Sequence, residues 1–121
     1  MAAIAVYFTL GDLFKDRAVI HFIDNTGALS AIVHGYARKS DCARLVNLYH
    51  AQCVALKCVV WSEWVPSKGN VGDVPTRPER LAELEKHRPA ARFVPMRLPI
   101  ASEMEGAITD WIRCVRARCA S

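Results

Sequence analysis

Two short runs of apolar residues, each closed by a polar residue or a turn former, stand out in the pattern along this chain. Residues 18–23, AVIHFI, are apolar except for one histidine, and Asp24 follows them directly. Residues 58–65, CVVWSEWV, form a second run rich in β-branched and aromatic residues, and Pro66 ends it. Runs of this length and composition predict two buried strands.

The segment between these strands has the spacing of two helices. The first is predicted to begin with Thr26 as its N-cap and to end near Gly35, a glycine suited to the position after a helix. The second is predicted over residues 41–56, with Ser40 as its cap. Two strands joined by helices in this way form a parallel crossover, so the fold class is α/β with a parallel sheet of two strands.

Helices are also predicted on both sides of this unit. Residues 2–15 have apolar positions at helical spacing, interrupted by Gly11, and residues 78–88 are charged and helical in pattern. The first helix has no strand before it. We therefore expect the sheet to lack a leading part.

The C-terminal third is predicted to be a linker followed by a helix. Residues 89–100 contain three of the six prolines and should be extended. Ser102 and Glu105 have the spacing of a capping box for an amphipathic helix over 101–119. The predicted organisation is thus a unit over 1–88, a Pro-rich linker over 89–100 and a C-terminal helix.

Composition narrows the class of protein. A chain of 121 residues with 52% hydrophobic residues is long enough for one globular domain. The net charge is +4, and residues 36–77, with six basic and three acidic groups, contribute +3 of it. That balance permits nucleic-acid binding.

Five cysteines without a CxxC pair argue against a disulfide framework or a zinc site, and the N-terminal apolar run is too short for a membrane span. We expect an intracellular protein, cytoplasmic or nuclear.

The candidate chemistry lies where the two strands end. Asp24 ends the first strand, and Asp73 lies eight residues after the second. Because adjacent parallel strands lie about 4.8 Å apart, their carboxyl ends can bring these acids together. A carboxylate there either caps a helix or binds a hard cation. His21, in the middle of a strand, is expected to be buried and hydrogen-bonded rather than a ligand.

Two motifs extend this picture. Residues 22–29, FIDNTGAL, resemble the third catalytic segment of the ribonuclease H family, and in particular of the domains that follow reverse transcriptase in retroelements. Residues 64–70, WVPSKGN, with residues 73–77, DVPTR, resemble the last segment of the same family. The motifs occur in the family's order, and the resemblance covers about residues 2–77.

The resemblance implies a fold, an activity and a cofactor. The fold is ribonuclease H-like, here without its leading β-hairpin. The activity is that of an endonuclease, a hydrolase of RNA in RNA–DNA hybrids within a retrotransposon polyprotein, where a reverse transcriptase segment lies upstream. Four carboxylates hold two Mg²⁺ (or Mn²⁺) ions in the family, and Asp24 and Asp73 match the third and fourth. The first two have no counterpart, since the glutamate position falls near Ala2. We therefore expect weak metal binding and little hydrolysis.

The resemblance also implies a nucleic-acid partner. Lys68 and Arg77 are candidate phosphate contacts, because such contacts need only a positive group at the right edge. Asn25 is a candidate substrate contact, although it can instead orient the strand–helix turn. Asn70 is a further candidate contact, but its side chain is expected to hydrogen-bond the backbone of its own turn.

Two alternatives remain open at this point. The first is a non-catalytic nucleic-acid-binding or interaction module on the same fold. The second is a nuclease related to integrases and recombinases, which would need a third acid on the helix that follows. The candidates for that acid are Glu79, Glu83 and Glu85.

Overall fold

A computed structural model describes residues 2–90 and 96–120. The described residues form a mixed α/β structure with six helices, one sheet of two parallel strands and two short 3₁₀ helices. In chain order the elements are α1 (Ala2–Thr9), α2 (Gly11–Phe14), β1 (Ala18–Ile23), α3 (Thr26–His34), α4 (Ser40–Leu56), β2 (Val59–Trp64), the 3₁₀ helices Ser67–Gly69 and Val71–Thr76, α5 (Pro78–His87) and α6 (Ala101–Cys119).

The two strands run parallel, which confirms the predicted crossover. Ala18 lies opposite Val59 at one end of the sheet, and Ile23 lies opposite Trp64 at the other. The ladder extends past β2, because the Val65 N–H donates to the Ile23 carbonyl at 3.1 Å. The first strand has the predicted bounds, whereas the second is one residue shorter at each end than 58–65.

The connection between the strands consists of α3 and α4, as predicted. Gly35 ends α3 in the left-handed region with φ +68°, which a glycine adopts without steric cost. The prediction for the start of α4 was wrong. Ser40 is its first residue, and the preceding Lys39 occupies the cap position without a side-chain hydrogen bond.

The N-terminal helix is broken at the predicted glycine. Leu10 leaves helical geometry at φ −117° and ψ 29°, and Gly11 begins the single turn of α2. A Cβ on Gly11 would lie 3.3 Å from Leu56 Cδ2, so the glycine also allows α2 to approach the end of α4 closely.

Helices cover one face of the sheet. The core on that face combines side chains of α1, α3, α4, β1 and the residue before β2, and its buried members are Ile4, Tyr7, Ile23, Ile32, Val46, Tyr49 and Cys58. The opposite face is open in the described structure: Ile20, Phe22, Val59 and Trp61 are each more than half exposed.

The last helix packs against α4, through a core of its own. Met104 and Ile108 are buried against Ala5 and Leu48. Beside them Arg44 of α4 forms a two-pronged ion pair with Glu105 of α6. None of the helices in the described ranges combines the length and apolar character needed to cross a membrane.

The predicted capping box of α6 was wrong. The residue at the N-cap position is Ile100, whose N–H donates to Glu103 Oε2 at 2.9 Å. Neither Ser102 nor Glu105 therefore caps the N-terminus of the helix. Arg97 also donates to Glu103 at 2.7 Å, and these bonds lower the pKa of that carboxyl. Of the predicted linker, residues 89–90 and 96–100 contain no helix or strand, and residues 91–95 lie outside the described residues.

Candidate nucleic-acid interface

The first motif ends in a capped turn at the carboxyl end of β1. Asn25 occupies the cap position of α3 with φ −89° and ψ 109°, and its Oδ1 accepts the Ala28 N–H at 2.8 Å. A short amide side chain at this position satisfies one of the unpaired N–H groups of the first helical turn. The prediction that Thr26 caps the helix was therefore wrong by one residue, since Thr26 is the first residue of α3. The role of orienting the turn falls to Asn25.

Asp24 lies between the strand and this cap. It is partly buried, and within the described residues its carboxylate forms no hydrogen bond or ion pair. Asp24 is therefore not a helix cap, because Asn25 fills that position.

The second motif forms the two 3₁₀ helices after β2. Asn70 joins them, and its Oδ1 accepts the Gly72 N–H at 3.1 Å, the turn hydrogen bond predicted for it. Asp73 lies in the second 3₁₀ helix, and its Oδ2 accepts a hydrogen bond from Arg77 Nε at 2.6 Å. The predicted phosphate contact Arg77 thus also neutralises the predicted metal ligand Asp73.

The described acids do not fit a two-metal centre. Magnesium takes about six oxygen ligands, and two-metal hydrolysis needs several carboxylates around ions about 4 Å apart. Within the residues that the structure describes, no group of three or more His, Cys, Asp or Glu side chains is placed to hold a metal ion. Of the two predicted ligands, Asp73 already has a guanidinium against it. No metal-dependent step follows from this arrangement.

The same observation bears on the integrase-like alternative. That alternative needs Glu79, Glu83 or Glu85 beside the two aspartates, and the described part of the chain contains no such three-acid group. Glu83 instead lies 3.8 Å from Arg80 on its own helix.

Several basic side chains lie at this edge of the sheet, and only some of them were predicted from the sequence as site residues. Lys68 follows β2 and is exposed, and in the described structure it takes part in no ion pair. Arg38 and Lys39, in the loop between α3 and α4, line a shallow cavity of about 320 Å³ together with Asn25. Neither Arg38 nor Lys39 was identified as a site residue from sequence. The signal available for them was the excess of positive charge that begins just after β1.

Comparison with protein-family models, with curated proteins and with solved structures gave no match to this chain. The resemblance to ribonuclease H therefore rests on the two motifs and their order.

Proposed function

We propose that this chain is a ribonuclease H-like domain of a retroelement that binds RNA–DNA hybrid without cleaving it. The observation that carries the proposal is the parallel pairing of β1 and β2 in register. Because of that pairing, the segment holding Asp24 and the segment holding Lys68 and Asp73 both leave the sheet at its carboxyl edge. Ordered motifs on non-adjacent or antiparallel strands would not have supported this reading.

Charge at the edge supports binding. Arg38, Lys39 and Lys68 are exposed there, and within the described residues none of them forms an ion pair. Exposed cations of this kind displace counterions from a nucleic-acid backbone and supply most of the affinity that is independent of sequence.

The acids argue against cleavage. Two carboxylates, one of them paired with Arg77, offer too few oxygen ligands for the pair of ions that hydrolysis requires. A single Mg²⁺ held at Asp24 would keep most of its water and bind loosely. Binding should therefore persist without metal.

A titration of labelled RNA–DNA hybrid, followed by fluorescence anisotropy in EDTA, tests the proposal. Binding should weaken linearly on a log–log plot against salt, with a slope of about −0.9 for each phosphate neutralised. Asp24→Asn should not weaken binding, because it removes a negative charge that repels phosphates. Asp110→Asn, in the exposed part of α6, is the matched control for the change in net charge.

A cleavage assay of the same hybrid with Mg²⁺ or Mn²⁺ completes the test, and we expect no turnover. Turnover that Asp24→Asn abolishes would show an active nuclease and contradict the non-catalytic reading. Absence of hybrid binding at low salt would contradict the proposal as a whole.

A further inference from the structure

A cleft with a cationic lining lies between the first 3₁₀ helix after β2 and the start of α5. Its volume is about 540 Å³, and the described side chains that line it are Ser67, Lys68, Arg77 and Arg80. Three of the four side chains carry a positive charge, and the fourth carries a hydroxyl.

Neighbouring acids neutralise this charge only in part. Arg77 is held by Asp73 at 2.6 Å. Arg80 lies 3.8 Å from Glu83, which is too long for a hydrogen bond, and the Glu83 side chain is 62% exposed. A partly exposed pair at this distance is weak, so the Arg80 guanidinium can take another partner at little cost. Lys68 has no acid paired with it in the described residues.

From this arrangement we infer that the cleft binds a backbone phosphate of a nucleic-acid strand, with Lys68 and Arg80 as its main contacts. A phosphodiester presents two charged oxygens, which match a guanidinium fork, an ammonium group and a hydroxyl donor. The inference rests on the proposed function and extends it, because it assigns the site of a phosphate contact and adds Arg80 to it.

A strand fits better than a small free phosphate. Lys68 and Arg77 are exposed, and a single small anion is held weakly by exposed cations in a high dielectric. A strand can place a second phosphate against Arg38 and Lys39, which lie at the same carboxyl edge beside Asn25. Several phosphates held by one rigid surface add their contributions.

Two substitutions test the site in the full chain. Arg80→Gln and Lys68→Gln should each weaken binding of the RNA–DNA hybrid by about fivefold near 0.1 M salt. Each should also reduce the salt slope by about one, because one phosphate contact is lost. Arg77 is unsuitable for this test, since its removal also takes away the ion pair with the Asp73 carboxylate.

The matched control is Arg113→Gln. Arg113 lies on α6, is exposed, and pairs with Asp110 three residues before it, much as Arg80 pairs with Glu83 three residues after it. Arg113→Gln should change the affinity for the hybrid and the salt slope only slightly, by the amount that the loss of one positive charge causes in any variant. Circular dichroism of all three variants should match the parent chain.

The possible outcomes separate this inference from the proposed function. If the parent chain binds hybrid and the two variants behave like Arg113→Gln, the cleft is not a phosphate site, while the proposed function stands. If the parent chain does not bind hybrid, both fail. If inorganic pyrophosphate binds more tightly than the hybrid and Arg80→Gln removes that binding, the ligand is a free phosphate and the assignment to a strand is wrong.

Discussion

His21 lies in β1 on the side that faces the helices, and its ring is engaged in the core. The Tyr7 hydroxyl lies 3.1 Å from His21 Nδ1, and the two ring centroids are 5.5 Å apart. Burial raises the pKa of Tyr7, so its hydroxyl stays protonated and can donate. Burial also lowers the pKa of His21, so its ring is neutral near pH 7, and Nδ1 accepts from the Tyr7 hydroxyl in the tautomer that carries its proton on Nε2. The predicted hydrogen bond of this strand histidine is confirmed, whereas the residue is partly buried and not fully buried as predicted.

The partial burial of His21 makes the stability of the fold depend on pH. Since the pKa of His21 is lowered in the folded state, the unfolded chain binds more protons near and below the ordinary value of 6.5. The contribution of neutral His21 to the free energy of unfolding is fully present above pH 6.5. It is lost as the pH falls towards the folded-state pKa of His21. Thermal unfolding should therefore occur at lower temperature at pH 5.5 than at pH 7.5.

The variant His21→Gln should show a smaller difference between these two pH values. His87→Gln, an exposed residue at the end of α5, is the control and should behave like the parent chain. An unchanged pH dependence in His21→Gln would show that the dependence arises elsewhere.

The start of α3 depends on Asn25 rather than on Thr26. Asn25→Ala removes the acceptor for the Ala28 N–H and should cost about 1 kcal/mol in the free energy of unfolding. Thr26→Ala should have a much smaller effect, because its side chain is exposed and caps nothing. Chemical denaturation of the two variants measures the difference. A larger loss for Thr26→Ala would restore the sequence-based position of the cap.

Periodicity predicted which elements exist, but it did not fix where they begin. The positions of Thr26, Ser40 and Ser102 all suggested caps, and all three are instead inside a helix. A cap depends on the backbone angles of one residue, which the surrounding packing sets. Glu105 shows why local patterns misplace caps: its side chain binds Arg44, 61 residues away, and no local pattern contains that contact.

The candidate site was predictable to a similar degree. The placement of Asp24 and Lys68 at one edge of the sheet was predictable, because each follows a strand and parallel strands end at one edge. The approach of Arg80 to Lys68 was not predictable, because it depends on how the two 3₁₀ helices turn the chain back before α5. The ion pair between Asp73 and Arg77 has the spacing of a helical pair, but the sequence analysis predicted no helix over these residues.

The distribution of apolar surface over the described structure is uneven. Ile20 is 66% exposed and Trp61 is 68% exposed, and the two lie opposite each other on neighbouring strands. Phe22 and Val59 extend the same face. Together the four side chains expose on the order of 400–500 Å² of mostly apolar surface, which matches the largest patches found on monomeric proteins.

An open apolar face of this size should bind the dye ANS while the protein is folded. We expect ANS fluorescence to rise on adding native protein and to fall markedly in the Trp61→Ser variant, because the largest ring of the patch is then gone. Leu13→Ser is the matched control: Leu13 is 62% exposed but lies on α2, away from the sheet face. Both variants should keep the far-ultraviolet circular dichroism of the parent chain, since neither side chain is buried. Equal fluorescence from the parent chain and Trp61→Ser would mean that the dye binds elsewhere and that this face is covered in solution.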